Sequence, residues 1–293
     1  MKRFLMAVIQ VMGYFLAVFV LIGLAVILTK LIFGDLDYDE PRLSILLLGI
    51  QIVFAVAVVG ALMSWIGKSQ LAKSGWPGFL SSMRWFGIGT LVGLLMCGGM
   101  IIITWVSGGG SFHFDIEKPS RYFNYVSPLV FFLLILAFGE EWIFRGYPLS
   151  KLSQAVGGGW ANVIVSLLFM AGHWGGSGWN AMVAGNIFLF SLVNGVMRFT
   201  PGGIPAAWGF HFAWNSLHIL LGATLTGENY AVPGAQFISE GSKWLSGGDY
   251  GPEGGLGTSV ATIVGLVIIW RYLRRRPVAD TPVAYEAAGE SNN

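Results

Sequence analysis

The stretch Leu129-Val-Phe-Phe-Leu-Leu-Ile-Leu-Ala-Phe-Gly-Glu140-Glu141-Trp-Ile-Phe-Arg145 sets the reading of the chain. An apolar run of this kind reads as a membrane helix, yet it ends in two adjacent carboxylates. One ionised side chain at membrane depth costs roughly 2.5–3.5 kcal/mol on insertion scales. Two neighbouring acids cost more, because they also repel each other. A chain keeps such a pair there only if something binds or reacts there.

The surrounding composition is that of a membrane protein throughout. Hydrophobic residues make up 55% and charged residues only 11%, against about 25% charged in soluble domains. No polar second domain breaks the pattern, so residues 1–276 read as a single transmembrane domain. Residues 277–293 are polar and rich in small side chains, and read as a disordered cytoplasmic tail. Cys97 is the one cysteine. It excludes an intrachain disulfide and a cysteine-based metal site, and reads as a small apolar residue on a helix. The apolar run from Phe4 to about Phe33 exceeds the roughly 7–15 residues of a signal-peptide core, so it reads as an uncleaved first span.

A helix needs about 20 apolar residues to cross the bilayer core. On that rule the fold class is all-α, a polytopic membrane protein with about eight transmembrane helices. They fall near 5–32, 43–67, 83–107, 126–149, 160–176, 181–200, 204–224 and 255–273. Connecting segments alternate in charge. Lys2 and Arg3, Lys68, Lys73 and Arg84, Lys151, Arg198, and the cluster Arg271, Arg274, Arg275 and Arg276 mark one side. Asp35, Asp37, Asp39 and Glu40, and the mainly acidic loop 225–254, mark the other. Positive residues stay on the cytoplasmic side, which places both termini in the cytoplasm, as an even span count requires. The loop 225–254 is rich in Gly and aromatics and is expected to be ordered against the membrane face. Trp65, Trp85, Trp105, Trp160, Trp179 and Trp270 fall at expected interfaces. Trp142, Trp208 and Trp214 fall inside spans, where packing around a site is the plain explanation. Gly89 and Gly93 form a GxxxG that reads as close helix packing.

The ionisable groups inside the spans gather in the second half of the chain. Glu141 and Arg145 are four apart with the acid on the N-terminal side, the favourable order for an ion pair. Glu140 points about 100° away and has no partner on its own helix. That leaves it as a candidate general base, against the alternative of a purely structural buried pair. His173 ends Phe169-Met-Ala-Gly-His173 and reads equally as a helix–helix hydrogen bonder. His211 and Asn215 share one helix face, and His218 follows on that face as cavity lining or packing. His113 reads as a solvated loop residue. Glu253, entering the last span, reads as a helix cap or dipole partner. Three helices with polar clusters, after three spans with almost none, are most simply explained by convergence on one cavity.

These motifs resemble those of the CAAX prenyl protease and bacteriocin-processing (Abi) family of intramembrane endopeptidases. That family is marked by EExxxR, FxxxH and HxxxN on successive membrane helices, here Glu140–Arg145, Phe169–His173 and His211–Asn215. The similarity covers about residues 125–275. The resemblance implies hydrolysis of a peptide bond of a membrane-embedded or lipidated peptide, with the bilayer as the other partner and no nucleic acid. It implies that Glu140 activates water, that His173 positions it, and that His211 and Asn215 stabilise the oxyanion. Glu141 and Arg145 would support the geometry. No serine or cysteine nucleophile adjoins a His in these motifs, so a carboxylate acting on water is the economical chemistry.

No cofactor is expected, although Glu140, His173 and His211 form an alternative Zn²⁺ set. The rival readings are a transporter or proton relay using buried Glu and His, and a non-catalytic immunity or binding protein. The expected location is a plasma membrane. One tension is geometric. Counting about 1.5 Å per residue, Glu140 and His173 lie about 20 Å in from opposite faces of a core about 30 Å thick. Helix tilt or a boundary shift must close that gap.

Overall fold

The computed structural model describes residues 2–33, 47, 49–55, 57–58 and 75–274. The expected second span, the acidic residues 35–40, Lys68, Lys73, Trp65, Arg275, Arg276 and the tail 277–293 fall wholly or mostly outside the described residues. The segment 49–55 is helical.

The chain is mostly helical. The helices are α1 (Lys2–Phe33), α2 (Phe79–Val106), α3 (Pro119–Arg145), α4 (Tyr147–Val156), α5 (Gly158–Gly172), α6 (Ala181–Arg198), α7 (Gly203–Leu220), α8 (Lys243–Ser246) and α9 (Leu256–Arg274). Their ends follow local chemistry. α3 opens with Pro119 in its first turn, where the missing N–H costs nothing. α6 is capped by Asn180, whose Oδ1 accepts from Met182 N at 2.9 Å and Val183 N at 3.1 Å.

Among the described residues, five helical stretches are long and apolar enough to cross a membrane: Arg3–Ile32, Phe79–Val106, Pro119–Val156, Ala181–Arg198 and Leu256–Leu273. The outer helices are apolar on the outside, with Leu5, Ile9, Leu16 and Leu31 of α1, Leu80, Leu95 and Ile102 of α2, and Ile263 and Ile268 of α9 all exposed. This suits a protein whose solvent is lipid.

α5 and α7 differ from spans of that type. α5 has only 15 residues. α7 is sheathed by protein: nearly every residue is buried, including His211, Asn215, Ser216 and His218. A helix screened from lipid needs no continuous apolar surface, because its polar groups find protein partners instead.

The sheath is tight because three glycines let backbones touch. A methyl group at Gly89 of α2 would collide with the carbonyl oxygen of Ala206, and one at Gly93 with that of Phe210. In return, a methyl at Gly209 of α7 would collide with the carbonyl of Phe86. The GxxxG of α2 therefore works as close packing, and its partner is the helix that carries His211. α7 begins at Gly203, whose φ of 59° is open to glycine and strained for other residues. There Ile204 N donates to Gly75 O at 2.9 Å.

One element departs from an all-α fold. Gly110–Phe114 (β1) and Ala235–Ser239 (β2) pair antiparallel, with Phe112 opposite Phe237 and their rings 4.9 Å apart. The sheet ties the loop between α7 and α9 to the link between α2 and α3. That loop is ordered, as expected, and His113 is exposed on β1.

Gly209→Val is expected to destabilise the protein. Overpacking typically costs about 1–3 kcal/mol, and a backbone carbonyl has less room to yield than a side chain. Thermal unfolding in detergent is the measurement. An unchanged midpoint would show that the α2–α7 approach is looser than described.

Candidate active site

The site is built where the end of α3 meets the middle of α7. Glu141 and Arg145 are fully buried. Their charged groups lie 3.4 Å apart, Nε to Oε2 and Nη1 to Oε1. Arg145 spends its remaining donors on α6: Nη2 donates to Ser191 O at 3.0 Å and to Ser191 Oγ at 2.6 Å. Its guanidinium lies 4.7 Å from the centre of the Phe169 ring on α5, a cation–π geometry. One arginine thus joins three helices.

Glu141 is also the partner of His211, whose Nδ1 lies 2.7 Å from Oε1. An ionised carboxylate only accepts, so Nδ1 carries the proton in this contact. The other ring nitrogen, Nε2, faces Glu140 Oε2 at 3.8 Å. His211 therefore stands between the two acids. The separation to Glu140 exceeds a direct hydrogen bond. The Glu140 side chain is 18% exposed, against none for Glu141. The rings of Phe190 and Phe169, 5.1 and 6.1 Å from His211, wall the imidazole.

The other expected residues sit around this core. His173 ends α5 and is half-buried. Its Nδ1 lies 2.8 Å from Phe169 O, and its ring lies 4.3 Å from that of Phe169. The Phe169 ring thus packs against both imidazoles. Asn215 lies one turn beyond His211 on α7 and is buried. His218 faces away from the acids: its Nδ1 lies 2.8 Å from Trp214 O and 3.6 Å from Cys97 Sγ. Packing, rather than cavity lining, is its place.

α3 begins at Pro119 rather than near 126, and α5 begins at Gly158, close to the expected 160; the ends of the two helices meet through Phe144 and Phe169, whose rings lie 5.0 Å apart.

The alternative zinc set does not fit this arrangement. Among the described residues, no three side chains of His, Cys, Asp or Glu gather closely enough to hold an ion. His211 Nδ1 is taken by Glu141, and His173 Nδ1 by Phe169 O. Glu140 Oε2 and His211 Nε2 face each other at 3.8 Å.

Several residues outside the motifs complete the site. Arg198, expected at an interface, is buried at 2% exposure. Its Nε donates to Arg145 O at 3.2 Å and its Nη2 to Ser150 Oγ at 3.4 Å, closing the C-terminal end of α3. Asn186 donates to Glu253 O and Gly255 O at 2.8 and 2.9 Å, and accepts from Ser259 Oγ at 2.6 Å. The Glu253 side chain does not cap α9; its carboxylate accepts from Trp214 Nε1 and Thr226 N, both at 2.8 Å. Asn186, Ser191, Asn194 and Arg198 recur along one apolar helix, a polar stripe visible in the sequence. Trp208 packs beside the acids, 5.1 Å from Phe138, and Trp142 packs on the same ring. The loop also reaches the site. Burial, and after it the charges of Glu228, Glu253 and Glu140, push the phenol of Tyr230 up.

Arg145→Ala should remove the only cation facing Glu141 among the described residues. Leaving a buried charge unpaired costs about 3–5 kcal/mol, read as lost yield and a lower melting temperature in detergent. Arg145→Lys should recover little, because one ammonium lacks the planar fork that serves Glu141 and Ser191 together. Parent-like stability of Arg145→Ala would contradict the buried pair.

Residues 122–217 match the family profile described as Type II CAAX prenyl endopeptidase Rce1-like. That span holds Glu140, Glu141, Arg145, His173, His211 and Asn215, and stops short of Glu253. No curated protein matches the chain. The matched segment contains the ends of α3 and α5 and the face of α7 that meet at His211, and over these residues the chain is similar to Rce1-like type II CAAX prenyl endopeptidases.

Proposed function

We propose that the protein is an intramembrane endopeptidase that hydrolyses a peptide bond of a membrane-associated or lipidated peptide through water activated by Glu140. The observation that carries this reading is His211 standing between a buried, arginine-paired acid and a second acid with no hydrogen bond of its own among the described residues. The family profile supports an endopeptidase with protein or peptide substrates.

The chemistry follows from the placement. Glu140 Oε2 accepts a proton from the water, which attacks the carbonyl carbon of the scissile bond. The C–N bond breaks as the proton passes from Glu140 to the leaving amine. The oxyanion needs donors during the step, and each such donor is worth about 2.7–4 kcal/mol. Asn215 supplies an amide N–H. His211 has given Nδ1–H to Glu141, so its Nε2 donates only as the doubly protonated imidazolium, for which the two flanking carboxylates are counter-charges. Glu141 sets the tilt of the imidazole, and Arg145 holds Glu141. His173, half-buried at the end of α5, positions the water from the side of the Phe169 ring.

The same reading extends to the envelope. Eight membrane-embedded helices, of which α5 is short and α7 is sheathed, form one domain over 1–276, with 277–293 as its tail. Lys2, Arg3, Lys151 and the arginines from Arg271 onward assign both termini to the cytoplasm.

Glu140→Gln, nearly isosteric, should reduce turnover of a farnesylated fluorogenic peptide ending in a CAAX sequence by at least the 10²–10⁴-fold typical of a lost general base. Its melting temperature should stay near that of the parent, because Glu140 makes no hydrogen bond among the described residues. Cleavage that persists in this variant would remove the proposed base. Cleavage by the parent should survive exhaustive chelation; loss restored by added zinc would replace this mechanism with a metal-dependent one.

A further inference from the structure

The geometry points to Glu253 as a positioning residue that holds His211 and Asn215 in register with His173. This rests on the hydrolase reading and goes beyond it, since Glu253 lies outside the matched segment and touches none of the reacting groups. Its carboxylate is shared between two elements that flank the site. Oε1 accepts from Trp214 Nε1 at 2.8 Å, and Oε2 accepts from Thr226 N at 2.8 Å.

The first bond acts on α7. Trp214 precedes Asn215 and lies three residues after His211, so fixing its indole fixes the rotation of the helix about its axis. The indole is 1% exposed and lies 5.4 Å from the Phe190 ring, which is itself 5.1 Å from His211. The second bond acts on the loop. Thr226 has a φ of 51°, a conformation unusual for a β-branched residue, and it persists because its N–H is held. The loop here lies directly on the segment that follows His173. A methyl on Gly176 would sit 3.0 Å from Thr226 O, and one on Gly227 would sit 2.6 Å from Ser177 O. Glu253 is itself anchored, because Asn186 of α6 holds its backbone carbonyl at 2.8 Å. One carboxylate therefore sets the spacing between the helix bearing His211 and Asn215 and the turn bearing His173.

The test uses the full-length protein in detergent and the farnesylated CAAX peptide. Misplacement of reacting groups by about 1 Å costs up to about a hundredfold in rate. Glu253→Ala and Trp214→Phe should each lower kcat about ten- to a hundredfold with KM unchanged and cooperative melting retained. The double variant should lose no more than the worse single one, because Trp214 Nε1 has already lost its acceptor in Glu253→Ala. Glu253→Gln, which keeps an oxygen for the indole, should recover part of kcat. Variants that lower yield or melting temperature while the folded fraction keeps parental kcat would reduce Glu253 to a brace and overturn the proposal. Losses that multiply in the double variant would overturn it too. If Glu253→Ala does not fold, Trp214→Phe and Glu253→Gln decide, and parental kcat in both overturns it. Glu140→Gln runs in the same assay. Persistent cleavage there overturns Glu140 as the base of the proposed mechanism, whereas a dead Glu140→Gln beside parental Glu253 variants overturns only the present proposal.

Discussion

The pairing of Glu141 with Arg145 at zero exposure is the constraint from which the rest of the site follows. A buried ion pair is expensive to desolvate and is tolerated only when its remaining hydrogen-bonding capacity is met. Glu141 Oε1 accepts from His211, which draws α7 against α3. Arg145 Nη2 donates to Ser191, which draws in α6, and the guanidinium lies over Phe169, which draws in α5. Four helices are thereby obliged to converge. The net stabilisation from the pair is modest for that reason. Its larger consequence is specificity, since a different packing of these helices would strand a charge.

That convergence needs α7 to lie inside the protein, and the glycines make room for it. Gly89, Gly93 and Gly209 bring two backbones together where side chains would hold them apart. Lipid gives membrane helices little hydrophobic reason to associate, so close van der Waals packing and interhelical hydrogen bonds carry more of the load. Once α7 is surrounded, its two histidines and its asparagine cost less than they would facing lipid, and the helix can carry chemistry.

Much of this was legible in the sequence, for reasons tied to particular residues. Charged groups in apolar runs are rare enough that Glu140, Glu141 and Arg145 identify themselves, and the four-residue step already pairs Glu141 with Arg145. The GxxxG of α2 announced a close approach but not its partner, because small residues say that a backbone comes near and not which one. His211 could be placed on a face with Asn215, but its position between two acids depends on how α3 and α7 cross, and no local pattern encodes that crossing. The five-residue strands escaped notice because each is too short to show alternation and its partner lies on the far side of the core in sequence. Arg198 looked interfacial from its place at a helix end, whereas tertiary packing buries it against the carbonyl that ends α3. Glu253 looked like a helix cap because it precedes α9, and only the fold brings Trp214 and Thr226 within reach.

Three interior carboxylates offer a comparison that separates scaffold from chemistry. Glu253 is held on both sides: each oxygen accepts a neutral N–H at 2.8 Å, so its geometry is fixed. Glu141 is matched by a guanidinium on one side and an imidazole on the other, which makes it a hub rather than a base. Glu140 has neither arrangement. His211 Nε2 faces it at 3.8 Å, it makes no hydrogen bond among the described residues, and one of its oxygens is buried without a partner. A carboxylate left in that condition within a low-dielectric interior is costly to the fold, and neighbours that could have quenched it are committed elsewhere. The same arrangement that makes Glu140 a poor structural residue leaves its Oε2 facing His211 Nε2, where the proposed mechanism needs a proton acceptor.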